Sequence, residues 1–158
     1  MAGSWASSEG TRKSMVANKR RDTSAELAVR RELHSRGLRY RVDFAPVAGV
    51  RRRADVAFTR ARIAVFIDGC FWHSCPVHGT SPKKNSAYWG PKLESNVARD
   101  RDTDRRLASA GWEVLRFWEH EKATDVADSI QRAVQRANLS KMQIPAHAAS
   151  QRTGGGSR

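Results

Sequence analysis

The chain reads as an α/β domain in which helices cover a mixed β-sheet. Two neighbouring runs, 54–59 (ADVAFT) and 63–67 (IAVFI), have strand character and are joined by a short Arg60–Arg62 connection. A third strand-like run, 112–118 (WEVLRFW), lies between two helical patterns, and another helical pattern precedes the first strands. The order helix, strands, helix, strand, helix is that of a layered α/β domain. With 158 residues, 39% of them hydrophobic, the chain suits one compact domain with loose ends.

The elements follow in order. Residues 1–10 are small and polar and are expected to be disordered. The folded domain is placed at 11–138. Its first helix begins near Asp22-Thr23, where Thr23 and Glu26 have capping-box spacing, and Gly37 supplies the stop. Val29 and Leu33 share the inner face of this helix, and Glu26 lies on the same face, either as a local cap or as part of a polar site. Residues 39–43 (RYRVD) form a short strand. The run 63–67 is apolar throughout and is expected to be central in the sheet. Pairing Thr59 with Ile63 would set Asp55 opposite Ile67 at the open end of the hairpin. Residues 68–91 carry Gly69, Pro76, Gly79, Pro82, Gly90 and Pro91 and read as irregular. A helix then runs from about 92 to 110, ended by Gly111, with Leu93, Val97 and Leu107 inward and Lys92, Asn96 and Arg99 as a polar stripe. The last helix spans about 124–137, with Val126, Ile130 and Val134 on one face. Residues 139–158, with Pro145 and the run Gly154–Gly156, are read as a disordered tail.

Twenty-nine Lys and Arg against sixteen Asp and Glu leave a net charge of +13. An excess of this size points to a polyanion, most often nucleic acid, or otherwise to a basic tail that aids solubility. No apolar stretch approaches the roughly 18 residues of a membrane span. No apolar block of signal-peptide type stands near the start, so a cytoplasmic, nucleoid-associated protein is expected. Two cysteines are too few for a disulfide scaffold and are expected as reduced thiols.

The segment richest in reactive side chains is 68–78 (DGCFWHSCPVH). Cys70, Cys75 and His78 at close spacing suit tetrahedral Zn²⁺, with His120, just beyond the strand 112–118, as the fourth ligand. The alternative is a pair of buried thiols. Phe71 and Trp72 either pack inward and cover the metal or form a wedge that enters a base stack. His73 has the chemistry of a proton shuttle. Asp55 stands at a strand start, and a carboxylate with a backbone oxygen is hard-ligand chemistry suited to Mg²⁺. Arg51, Arg52 and Arg53 beside it would draw in a DNA backbone, or form a solvated loop.

These residues resemble the very short patch repair (Vsr) endonucleases, which nick DNA beside T·G mismatches. The resemblance covers roughly residues 11–136. Its most specific piece is Gly69-Cys70-Phe71-Trp72-His73. Supporting pieces are Thr11-Arg12 with Met15, Arg21-Asp22-Thr23 with Glu26, the Arg-Ala-Asp ending in Asp55, Asn96–Arg101 (NVARDR) and Trp118-Glu119-His120. The resemblance implies a restriction-endonuclease-like fold, a structural zinc and Mg²⁺-dependent phosphodiester hydrolysis. It implies that Asp55 and the backbone carbonyl of Ile67 hold the catalytic Mg²⁺, that His73 is the general acid/base and that Glu26 orients a metal-site water. It further implies that Met15, Phe71 and Trp72 enter the duplex and that Lys92 and Asn96 read the mismatch edge. Asp68 stands where the best-known member has His, and a second acid there could help bind metal or cap the loop. Cys75 and His78 replace a longer His-rich spacing, and His120 stands where a Cys is found. The expected partner is duplex DNA containing a mismatch, with other mismatch-repair proteins as candidates, and nicking one strand requires only a monomer. The competing readings are a same-fold nuclease with a different target, such as a defence nuclease, a non-catalytic zinc-stabilised DNA-binding protein, and, last, an RNA-binding module.

Overall fold

A computed structural model describes residues 22–70, 75–77 and 86–143. Helix α1 (Ser24–Ser35) is followed by strands β1 (Arg41–Phe44), β2 (Ala54–Phe58) and β3 (Ile63–Asp68), helix α2 (Ser86–Ser109), strand β4 (Glu113–Trp118) and helix α3 (Ala123–Met142). The strands form one mixed sheet in the order β1-β2-β3-β4. β1–β2 and β2–β3 are antiparallel, and β3–β4 is parallel, with α2 in the crossover.

The helix ends obey the local signals. Thr23 caps α1, its Oγ1 accepting the Glu26 N–H at 3.3 Å, while Glu26 Oε2 accepts the Asp22 N–H at 2.9 Å. The carboxylate reaches back one residue further than in the usual capping box. At the other end Gly37 has φ +72°, its N–H donates to His34 O and the Leu38 N–H donates to Leu33 O. Helix α2 closes in the same way, with Gly111 at φ +85°, its N–H on Ala108 O and the Trp112 N–H on Leu107 O. Both are Schellman motifs, in which glycine takes the left-handed position without a Cβ clash.

The sheet is covered on both faces. Val56, Phe58, Ile63, Val65 and Ile67 pack against Val29 and Leu33 of α1 and Val126, Ile130 and Val134 of α3. On the other face Ala57, Ala64 and Phe66 pack against Leu107 of α2. β3, central as its apolar run predicts, is buried at every position.

The structure differs from the sequence reading in several details, and β2, β3 and β4 each shift by one residue at one end. β1 spans Arg41–Phe44, not 39–43. The hairpin pairs Phe58 with Ile63 and Val56 with Val65, one residue off the expected register. The connection is longer than expected and contains Arg62 at φ +55°, so Thr59 lies in the turn and not in the ladder. α2 starts at Ser86, although Gly90 and Pro91 signal a break. Pro91 costs the helix one N–H···O bond, and burial of Trp89 in the preceding turn offsets it. α3 continues past 137 to Met142. Its last turn carries no core face, since Leu139 and Met142 are exposed, and rests on the helix propensity of Ala, Leu, Lys and Met.

Candidate active site and metal centre

Three acids meet at the open end of the β2–β3 hairpin. Asp55 comes from the start of β2, Asp68 from the end of β3, and Glu26 from the first turn of α1. Glu26 and Asp68 are almost fully buried. Asp55 Oδ2 accepts the Ile67 N–H at 2.7 Å. Asp55 and Ile67 are therefore neighbours, as expected, but through the amide and in a register shifted by one. Burial pushes the Asp55 carboxyl up; the Ile67 amide pulls it down, Glu26 raises it again, Arg52 lowers it and Asp68 raises it, leaving its pKa at about 6. An acid whose ionised form is disfavoured by burial and like charge is one whose ionised form a divalent cation would stabilise. The donor set thus fits a hard cation such as Mg²⁺, with Asp55 as the carboxylate that would hold it.

Asp68 is held differently. Arg116 of β4 donates from Nη1 to both of its oxygens, at 2.9 and 3.1 Å, and Arg52 Nη2 donates to Oδ1 at 3.3 Å. Arg116 also grips Asp104 of α2 through Nε and Nη2 at 2.7–3.0 Å. Its guanidinium lies over the Phe66 ring, 4.5 Å from the centroid. This follows from the register, which sets Phe66 beside Arg116 on paired strands. Burial alone would lower the Arg116 pKa; the Asp104 hydrogen bond and the charges of Asp68 and Asp100 raise it instead. Of the arginine triplet, Arg51 is exposed, Arg52 reaches Asp68 and Arg53 pairs with Asp43 at 3.1 Å. Two of the three are thus engaged with carboxylates. The sequence reading missed Arg116, whose only signal is a lone arginine inside the apolar run WEVLRFW.

The thiols meet the imidazole next to this acid cluster. β3 and β4 run parallel and end together, so the residues after Asp68 and Trp118 emerge side by side. The Glu119 N–H donates to Asp68 O, the Cys70 N–H donates to Glu119 Oε1 and the Cys75 N–H donates to Cys70 O. His120 Nδ1 lies 3.1 Å from Cys70 Sγ and 3.8 Å from Cys75 Sγ. All three ligand atoms fall within 4.8 Å of one another, with both thiols buried and His120 exposed. Burial pushes the Cys70 thiol up to about 11, helped by Cys75 and Glu119 and opposed by a hydrogen bond at His120. Two thiols and an imidazole converging in this way fit a soft cation, and zinc would favour their thiolate forms.

The polar stripe of α2 is solvent-facing. Lys92 is exposed, with Nζ 2.6 Å from the Tyr88 hydroxyl and 4.2 Å from the centre of its ring, and Asn96 is partly buried one turn on. Met15, Phe71, Trp72, His73 and His78 lie outside the described residues. Among the described residues no helix is long and apolar enough to cross a membrane.

The comparisons with known proteins point one way. The family model for the DNA mismatch endonuclease Vsr matches residues 7–78. The type II nicking enzyme V.NaeI of Lentzea aerocolonigenes is 48% identical over 123 residues, covering 77% of this chain and 74% of that protein. The type II nicking enzyme V.NmeDIP of Neisseria meningitidis serogroup C is 36% identical over 141 residues, covering 85% and 93%. The DNA mismatch endonuclease Vsr of Escherichia coli K12 is 37% identical over 122 residues, covering 73% and 76%. A central hairpin whose acids stand beside a Cys–Cys–His cluster thus occurs in a chain that belongs to the Vsr family of DNA endonucleases.

Proposed function

We propose that this chain is a Mg²⁺-dependent, zinc-stabilised endonuclease that nicks duplex DNA at T·G mismatches. The observation that carries the reading is the convergence of Asp55, Glu26 and Asp68 at the hairpin mouth, next to the strand ends that gather Cys70, Cys75 and His120. Membership of a DNA endonuclease family and a net charge of +13 make the substrate a DNA backbone.

Asp55 and the Ile67 carbonyl are the residues that would hold the Mg²⁺. Bound there, the cation would polarise the scissile phosphate and offset the charge that develops on it. Glu26, fixed by its bonds to the Asp22 N–H and to Arg30 Nη2, presents a carboxylate to the same corner and orients a water. His73 takes a proton from the attacking water or returns one to the leaving oxygen. Cys70, Cys75, His78 and His120 would hold the zinc, which has four protein ligands and serves structure only.

Recognition is assigned to two groups. Phe71, Trp72 and Met15 enter the stack, a step that is least costly at a mismatch because less pairing is lost. Lys92 and Asn96 on α2 read the mismatched edges, with Arg51 on the phosphates. A monomer suffices for one nick, and the compartment is the cytoplasm.

The deciding experiment is incubation with a T·G-containing duplex, Mg²⁺ and a matched control. A nick on the mismatched duplex alone is expected. Equal cutting of both would leave a nuclease of the same family with another target. No cutting at any Mg²⁺ concentration would leave a DNA-binding protein.

A further inference from the structure

Asp68 and Asp55 sit at the same mouth, yet their surroundings differ in one respect that decides what each can do. Asp68 accepts from Arg116 on both oxygens and from Arg52 on one. Its side chain is 5% exposed and that of Arg116 is 20% exposed, so the pair is shielded from water on most sides. Arg116 is itself fixed from the other side, by Asp104, by the Asp100 carbonyl at 3.4 Å and by the Phe66 ring beneath it. A guanidinium held at so many points does not swing away to release its carboxylate without giving up its contacts with Asp100 and Asp104 as well.

We propose that Arg116 is a positioning residue that withdraws Asp68 from the cation site, so that a divalent cation at the hairpin mouth is held by Asp55 and not by Asp68. This rests on the reading that the cation sits at Asp55. An acid engaged by two arginines has its charge balanced and its lone pairs directed at N–H donors, which makes it a poor competitor for a hard cation. Arg116 also joins two parts of the molecule. Through Asp100 and Asp104 it holds the helix that carries Lys92 and Asn96, and through Asp68 it holds the strand that leads into the cation site.

The test is direct binding of Mn²⁺ to the full, zinc-loaded chain, followed by electron paramagnetic resonance, for the wild type, Asp55→Asn, Asp68→Asn, Arg116→Met and the double variant Asp68→Asn/Arg116→Met. Asp68→Asn keeps an oxygen that accepts from Arg116 and removes a negative charge that also acts on Asp55; it is expected to weaken Mn²⁺ by less than about fivefold, under the roughly tenfold or greater loss that follows removal of a group supporting a bound metal. Arg116→Met removes a nearby positive charge and releases the carboxylate; it is expected to tighten Mn²⁺ roughly tenfold, and the double variant is expected to lose the part of that gain that Asp68 contributes. A loss of about tenfold or more in Asp68→Asn alone would show that Asp68 supports the bound cation, directly or through a ligand, and would overturn the proposal. So would an Arg116→Met gain that persists unchanged in the double variant. Should Arg116→Met not fold, Asp68→Asn still decides the matter. Unchanged affinity in Asp55→Asn is a separate failure: it would remove the cation from Asp55 and the inference with it.

Discussion

Asp55 and Asp68 start from the same chemistry and come to opposite ends. Both are short acids on neighbouring antiparallel strands, both are largely shielded, and both face the same hairpin mouth. Asp55 has a backbone amide as its hydrogen-bond donor, and burial together with two neighbouring carboxylates holds its pKa at about 6. Asp68 has two guanidinium partners. The difference shows that burial does not by itself make an acid reactive. What matters is whether the fold supplies the compensating positive charge from its own side chains; at Asp55 the proposed Mg²⁺ would take that place.

The strongest way to break the contrast is Asp55→Ala. Nicking in Mg²⁺ should fall about 10³-fold or more, since several kcal/mol of charge stabilisation go with the cation. DNA binding by gel shift should survive, and full nicking activity in this variant would remove Asp55 from the metal site. Next comes Arg116→Met, which leaves Asp68 and Asp104 without their main partner. It should cost about 3 kcal/mol in urea unfolding, the lower end for breaking a buried pair because Arg116 is partly exposed. A loss under about 0.5 kcal/mol, the size of an ordinary surface substitution, would mean that the network adds nothing.

A sharper form compares the two isosteric variants without divalent cations at pH 8. The folded-state pKa of Asp55 is raised from 3.8 to about 6, so its ionisation opposes folding. The stability that its neutral form provides is present below pH 4 and is lost as pH rises through about 6. Asp55→Asn should therefore stabilise the cation-free protein at pH 8 by up to about 3 kcal/mol. Asp68→Asn gives up a charge-assisted bond and should destabilise it by about 1.5 kcal/mol. Chemical denaturation of the two variants reads the sign directly, and equal signs would end the distinction. The smallest expected effect is on pH dependence. If Asp55 must be ionised to hold the cation, the nicking rate at limiting Mg²⁺ should fall about tenfold per unit below pH 6 and level off above it.

Much of the frame could be read from local chemistry. Thr23 with Glu26, and the glycines at 37 and 111, mark helix ends because capping and left-handed geometry are set by a few adjacent residues. The central place of β3 follows from an unbroken apolar run. The convergence of Cys70, Cys75 and His120 was also legible, since Cys70 and His120 each stand two residues past a strand end and zinc chemistry limits the choices. His78, the remaining proposed ligand, lies outside the described residues. The hairpin register was off by one because the length of the Arg60–Arg62 turn depends on Arg62 adopting φ +55°, which its identity does not announce. Arg116 was invisible for a different reason. Its partners are 12, 16 and 48 residues away in sequence, and only the β3–β4 pairing and the packing of α2 reveal them.

The parallel pairing of β3 with β4 also sets an order of assembly. The Asp55–Ile67 bond closes a loop of 12 residues, whereas the Asp68–Arg116 bond closes one of 48. Two doublings of loop length add about 1.2 kcal/mol of closure entropy to the longer one. The hairpin is therefore expected to form early, with one side of β3 waiting for a partner until the crossover helix has docked. In pulse-labelled hydrogen exchange, β2 amides should gain protection before those of β4, and the chain is most prone to aggregate in the interval between.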